Sequence, residues 1–258
     1  MLTDLLTVVV ICYDPYIDAI ELNPHFVEKF WKDRTAELFY VTSEIDVPHG
    51  FLTHKTHGNL SYYGRLDIAL KNVKTKYVML LLDDYIIDKK VDEKLLLKNI
   101  EFMEEKHIDY CEIYTMFSIP RGKITKFNDT KYLKISHNRK YRLSLQPSIF
   151  SFNILNDLLE TKPSGAWEAE LAFMDTKFDK YDAYFALNKS FSITNYIDKG
   201  EVTRKALRLL KREKLWKNQR KVISPFKSFK KWLINKFYNF VPQTLKDKIK
   251  GNDVIYRG

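Results

Sequence analysis

Asp83 and Asp84 stand side by side where the apolar run from Lys76 to Leu82 stops abruptly. Two carboxylates at that point have two readings. They can cap a following helix or sit in solvated loop. Alternatively, they can hold a hard divalent cation that bridges a diphosphate, because Mg²⁺ and Mn²⁺ prefer oxygen ligands and leave positions open for phosphate. The second reading requires that the run be a strand, since ligands of open α/β sheets bind beyond the carboxyl ends of their strands.

The elements around the pair meet that requirement. Leu5 to Cys12 is short, β-branched and apolar throughout, as for a strand buried on both faces of a parallel sheet. Glu37 to Thr42 reads as a second strand ending at Ser43-Glu44, and Lys76 to Leu82 as a third. Helical segments are expected through Phe26 to Trp31, Ser61 to Asn72 and Val91 to Lys106. Beyond these come a strand over Ile108 to Tyr114, an irregular stretch over 118–142 and a strand over Leu143 to Phe152. Two further helices are expected over Asn153 to Glu160 and Ala166 to Phe178. Strands alternating with helices predict an α/β fold: a Rossmann-like, mostly parallel sheet flanked by helices.

Composition agrees with a folded chain of this kind. It has 258 residues, 45% hydrophobic and 14% aromatic. Cys12 and Cys111 lie in apolar runs outside any CxxC or Cys/His cluster, which argues against zinc and a disulfide framework. The six histidines show no metal-ligand spacing, and His54 and His57 fall in a polar loop. The start, Met1-Leu-Thr-Asp4, lacks a basic region, and no run reaches the length of a spanning helix, so a cytoplasmic protein is expected.

The order of these elements resembles the GT-A glycosyltransferases, and more loosely their family 2. Three segments carry the likeness: the first strand Thr7 to Cys12, the second ending at Glu44, and the block from Gly64-Arg65 through Asp83-Asp84-Tyr85. The third position of the acidic motif is Tyr85, so the resemblance leaves open which Asp binds metal and which meets the ribose. It implies a GT-A catalytic domain over residues 1–200 and Mg²⁺ or Mn²⁺ as cofactor. It further implies a nucleotide-sugar donor, a UDP-sugar foremost, with Tyr13, Asp14, Glu44, Arg65 and Asp83 around the nucleotide. The acceptor would be a glycan or lipid-linked glycan in the making of a bacterial surface polysaccharide such as capsule or O-antigen.

Trp167-Glu168-Ala169-Glu170-Leu171 looks like the family segment that carries the general base at a helix start. The matching position is Glu168, with Glu170 second; the plain alternative is two acids in a helix first turn. Inverting transfer needs one such base to take the acceptor's proton. Gln146, in Leu145-Gln-Pro147, and Trp167 would line the acceptor side.

Charge is divided unevenly. From residue 199 onward 18 Lys/Arg face 4 Asp/Glu, a balance of +14, against −4 for the remainder. A basic helical tail, 201–258, is therefore expected to meet an anionic partner. In its segment Pro225 to Phe240, Phe226, Phe229, Trp232, Leu233 and Phe237 fall on one helical face, with Lys230 at the edge of the stripe. That pattern suits an anionic membrane surface, giving a peripheral protein on the inner face of the cell membrane; packing of the aromatics onto the body is the alternative. Two other functions compete: a nucleotidyltransferase that makes nucleotide-sugars, and a non-enzymatic membrane- or nucleic-acid-binding protein. The loop Tyr13-Asp-Pro-Tyr-Ile-Asp18 has neither glycine nor base for a phosphate loop, and no specific nucleic-acid motif is present.

Overall fold

The computed structural model describes residues 1–58, 61–115, 122–139, 141–218 and 220–237. Its centre is a nine-stranded mixed sheet in the order β3-β2-β1-β4-β9-β6-β10-β8-β7. The strands are β1 (Leu6–Ile11), β2 (Glu37–Thr42), β3 (Thr53–Lys55), β4 (Tyr77–Leu82) and β6 (Tyr110–Glu112). They continue with β7 (Ile124–Phe127), β8 (Thr130–Lys134), β9 (Ser148–Ser151) and β10 (Ala183–Ala186); the short β5 (Tyr85–Ile87) lies outside this sheet. Of the nine, β9 and β8 run against the rest. Every residue of β1 is buried, as expected for a strand covered on both faces.

Helices α1 (Ile17–Phe30) and α3 (Glu93–Glu105) cover one face of the sheet. The other face carries α2 (Tyr62–Asn72), α4 (Phe152–Glu160) and α5 (Ala166–Ala172). Local chemistry sets the helix starts: Ser61 Oγ accepts from the Gly64 N–H, and Asp92 Oδ1 from the Leu95 N–H.

After β1 the chain builds outward through β2 and β3, then returns to place β4 on the other side of β1. The carboxyl ends of β1 and β4 therefore flank the point where strand order reverses, where such sheets open a ligand crevice. Asn23 fixes the backbone there. Its Nδ2 donates to the carbonyls of Asp83 and Tyr85, each at 3.1 Å, and its Oδ1 accepts from Tyr40 Oη at 2.9 Å.

Four expectations need correction. The helix expected over Ala166 to Phe178 ends at Ala172, because Asp175 turns the chain by accepting from the Lys177 N–H and starts a separate short 3₁₀ turn. The strand expected from Leu143 is confined to β9, after Pro147, which has no N–H for a ladder. The stretch 118–142 contains the hairpin β7–β8, joined through Asn128 in a left-handed conformation. Last, the tail expected to be helical from residue 201 is interrupted: α6 (Arg204–Arg212) ends early, because Lys214 and Asn218 take positive φ and break the helical course.

The composition shift near residue 200 is not a break in packing. Past β5, β11 (Ile193–Asn195) pairs with β5, and β12 (Ile197–Asp198) with β13 (Glu201–Val202). Val202, Ala206, Leu209 and Leu210 share a core with Ala19, Phe26, Ile86 and Tyr196. Beyond Ile223, α7 (Pro225–Phe237) presents Phe226, Phe229, Trp232 and Leu233 exposed.

Candidate active site

The crevice begins with Asp83. Its carboxyl lies at the end of β4, buried to 4% exposure, and Oδ2 accepts the Tyr13 N–H at 2.8 Å. Burial raises its pKa, opposed by the amides of Tyr13 and Asp84 and by the charge of Arg65. Asp84 is half-buried, and its pKa is raised by burial first, then by the charges of Asp83 and Asp198. The two neighbours therefore resist ionising together.

Asp14 is committed to the loop after β2. Its two carboxylate oxygens accept from the N–H groups of Ser43 (2.7 Å), Glu44 (2.8 Å) and Ile45 (3.3 Å). It holds one wall of the crevice in place through its backbone partners. The side chain of Glu44 points outward, 3.8 Å from His57 Nδ1 on the surface. Arg65 comes from α2 and is buried to 4% exposure; Nη1 donates to Ser43 Oγ at 3.2 Å, and the guanidinium lies 5.8 Å from the Tyr13 ring centroid. Tyr13 itself is 47% exposed, an aromatic face at the mouth of the crevice.

Across from these groups, α5 divides the roles of its two glutamates. Glu168 accepts at Oε2 from the Ser164 N–H (2.9 Å) and from Ser164 Oγ (2.5 Å), both before the helix. It is exposed, and these bonds hold its pKa low. Glu170 turns toward the strand ends, where Oε1 accepts the Leu145 N–H at 3.0 Å and burial raises its pKa. Burial raises the pKa of the Tyr85 phenol most, followed by the charge of Asp84 and then that of Glu170. The expectation that favours Glu168 over Glu170 therefore meets a Glu168 occupied in capping its own helix.

Glu112, at the end of β6, was missed in the sequence. Burial pushes its pKa up to about 7, against the charge of Arg139 and a hydrogen bond from Thr115. The available signal was a carboxylate inside the apolar run Ile108 to Tyr114. Tyr62, Arg139 and Asn195 were missed as well; nothing in their local sequence distinguishes them.

Buried polar atoms normally find partners. Among the described residues, Tyr62 Oη, Arg65 Nε, Arg139 Nη1, Gln146 Oε1 and Asn195 Oδ1 have none. All belong to this region. Arg65 stands beside Tyr13, and Tyr62 feels the charges of Glu170 and Arg65. Arg139 faces Glu112, Gln146 precedes β9, and Asn195 is registered on Tyr85. A polar ligand with several donors and acceptors would satisfy such a set.

No known family profile matches the chain, nor does any curated protein. Solved structures resemble it in outline. Staphylococcus aureus TarS 1–349 is 17% identical with a TM-score of 0.39, over 73% of this chain and 59% of that one. A cytidylyltransferase from Leptospira borgpetersenii is 13% identical, TM-score 0.44, over 83% and 97%. The 2-C-methyl-D-erythritol 4-phosphate cytidylyltransferase of Thermus thermophilus is 12% identical, TM-score 0.45, over 73% and 92%. This chain thus spans about three fifths of the TarS segment it matches. At these values the likeness assigns no reaction.

The donor chemistry at Asp83 and Asp84 fits a hard divalent cation. Both are oxygen-only ligands at a site where each raises the other's cost of ionisation, which a dication would relieve. Among the described residues no three His, Cys, Asp or Glu side chains form a complete protein cage. A cation held here would complete its shell with phosphate and water. Trp167 is 38% exposed, beside the Tyr141 ring at 6.1 Å.

Proposed function

We propose that this chain transfers a sugar from a nucleotide-sugar to a hydroxyl of a glycan or lipid-linked glycan, with inversion. The observation that carries the reading is the buried carboxyl of Asp83 at the switch point of the sheet, bound to the Tyr13 N–H, with Asp84 next to it and Arg65 beside the Tyr13 ring. One side of the crevice offers what a nucleoside diphosphate needs and the other offers a proton acceptor.

In this reading the Tyr13 ring and Arg65 receive the nucleotide, while Asp14 holds the loop 43–45 against them. Asp84, with Asp83 behind it, would hold Mg²⁺ or Mn²⁺, which supplies neutralising charge to the departing diphosphate. Glu170 keeps one carboxylate oxygen on the Leu145 N–H and uses the other on the acceptor hydroxyl. As the acceptor oxygen bonds to the anomeric carbon, the bond from that carbon to the phosphate oxygen breaks and the proton passes to Glu170. A carboxyl with a raised pKa suits that task near neutral pH. Gln146 and Trp167 are assigned to the acceptor.

The test is binding of nucleoside diphosphates that requires both Mn²⁺ and Asp84. Preference for a nucleoside triphosphate, with pyrophosphate released when a sugar phosphate is added, would instead make the chain a nucleotidyltransferase.

We further place the reaction at a membrane surface. Among the described residues no helix is long and apolar enough to cross a bilayer. In α7, Phe226, Phe229, Trp232 and Leu233 are exposed at helical spacing, with Lys230 beside them and no acid in the helix. The side chain of Phe237 lies outside the described residues. Vesicles containing anionic lipid should sediment the full chain, and Phe229→Ser/Trp232→Ser should release it at least about tenfold. Equal sedimentation of the variant would remove α7 from the membrane.

A further inference from the structure

The segment after α6 returns to the crevice and ends in a fork. Arg220 Nε donates to Asp18 Oδ2 and Arg220 Nη2 to Asp18 Oδ1, both at 2.6 Å, a bidentate pair at the first turn of α1. Nη2 also lies 3.5 Å from the Pro15 carbonyl oxygen, and the guanidinium sits 4.6 Å from the Tyr16 ring centroid. Asp18 is buried and takes a third bond from Tyr196 Oη at 2.8 Å.

Arg220 is held from its far side as well. The Val202 N–H donates to the Lys221 carbonyl at 2.8 Å, the Ile223 N–H to the Val202 carbonyl at 3.0 Å, and Ile223 is buried. On the near side Leu215 and Trp216 pack on the core shared by α1 and α6. The guanidinium is thus presented by backbone that has its own anchorage, and what it grips is the turn between β1 and α1.

That turn floors the mouth of the crevice. Tyr16 meets Tyr13 edge to face at 5.3 Å, and the Tyr16 N–H donates to the Tyr13 carbonyl at 2.7 Å. The Tyr13 N–H in turn reaches Asp83 Oδ2. A continuous series of contacts therefore runs from Arg220 through Asp18 and Tyr16 to Tyr13 and Asp83.

We infer that Arg220 is a positioning residue for the donor site: by gripping Asp18 and Tyr16 from outside, it holds the 13–16 turn in the form that receives the nucleotide. This rests on the donor-site reading above. The planar fork matters, because one ammonium cannot hold both oxygens of Asp18 and also lie flat on Tyr16.

The test combines amide hydrogen exchange with calorimetric binding of nucleoside diphosphate in Mn²⁺, on the full chain and its Arg220→Lys and Arg220→Ala forms. Because Arg220→Ala leaves a buried carboxylate without its cation, the doubly neutral Asp18→Asn/Arg220→Gln form is measured beside it. In each variant the Tyr13 and Tyr16 amides should exchange roughly tenfold faster while those of β1 and β4 keep their protection. Nucleotide affinity should fall about tenfold, with Arg220→Lys failing to restore it. Unchanged exchange in the turn overturns the inference. So does loosening spread equally through β1 and β4, which is plain loss of stability, or unchanged affinity in a variant whose turn has loosened. If the unaltered chain binds no nucleotide, the donor-site reading falls and this inference with it; if it binds and the variants bind as well, only the inference falls.

Discussion

Glu170→Gln should lower sugar transfer at least about a thousandfold while leaving the dissociation constant of the nucleotide within about twofold. Gln keeps the size of the side chain and its acceptor oxygen for the Leu145 N–H, so the fold around α5 has little reason to change. What disappears is the oxygen that receives the acceptor's proton. The acid limb of the transfer rate should lie above the ordinary glutamate range in the unaltered chain, because burial raises this carboxyl, and should vanish in the variant. The companion change is Glu168→Gln. It removes the charge that accepts two bonds from Ser164 at the start of α5, so a lower melting temperature is expected with near-normal turnover. Turnover lost in Glu168→Gln and kept in Glu170→Gln would exchange the two assignments.

Glu112 should leave a measurable mark on stability. Its ordinary pKa of 4.5 is raised to about 7 in the folded chain by burial. Between those values the folded state keeps a proton that the unfolded chain has lost, so stability falls as pH rises through that window and levels off above about 7. At 1.36 kcal/mol per pKa unit, the loss attributable to this group is about 3 kcal/mol. Urea unfolding of the unaltered chain and of Glu112→Gln should therefore diverge, with the variant gaining that much relative stability between about pH 4 and pH 8. Stability curves that stay parallel across the window would mean that Glu112 ionises freely. Asp83, Asp84 and Glu170 are raised as well and act in the same sense, so the unaltered chain should lose stability faster than Glu112 alone requires.

Much of the frame is legible in the sequence, for definite reasons. The strands β1, β2 and β4 are short β-branched or apolar runs with abrupt polar ends, and burial on both faces demands that pattern. The abrupt end of β4 placed Asp83 and Asp84 at the crevice. Choosing between Glu168 and Glu170 was harder, because two residues on one helix point about 200° apart and periodicity alone does not reveal which side faces inward. In the structure Ser164 binds Glu168 and the Leu145 N–H binds Glu170, and on that difference rests the proposal of Glu170 as the base.

Other features depended on contacts distant in sequence. Asp14 reads locally as an acid after a strand, and only the loop 43–45 makes it a clamp. The hairpin β7–β8 was hidden because neither arm alternates cleanly, and only the Asn128-Asp129 turn between them marks it. Basic composition led to one tail beyond residue 200, whereas Val202, Leu209 and Leu210 are core residues and Arg220 grips the first turn of α1. Charge is a poor guide to packing here, since lysine and arginine decorate elements whose apolar faces are buried.

We propose that the crevice between β1 and β4 binds a nucleoside diphosphate through a metal held by Asp84. Calorimetry with a panel of nucleoside diphosphates, with and without Mn²⁺, on the unaltered chain and on Asp84→Ala tests it directly. One nucleotide should bind with micromolar affinity in the presence of Mn²⁺, and weaken at least about a hundredfold without it or in Asp84→Ala. Failure of every nucleotide to bind the unaltered chain in Mn²⁺, or binding indifferent to both metal and Asp84, would overturn this assignment of the site.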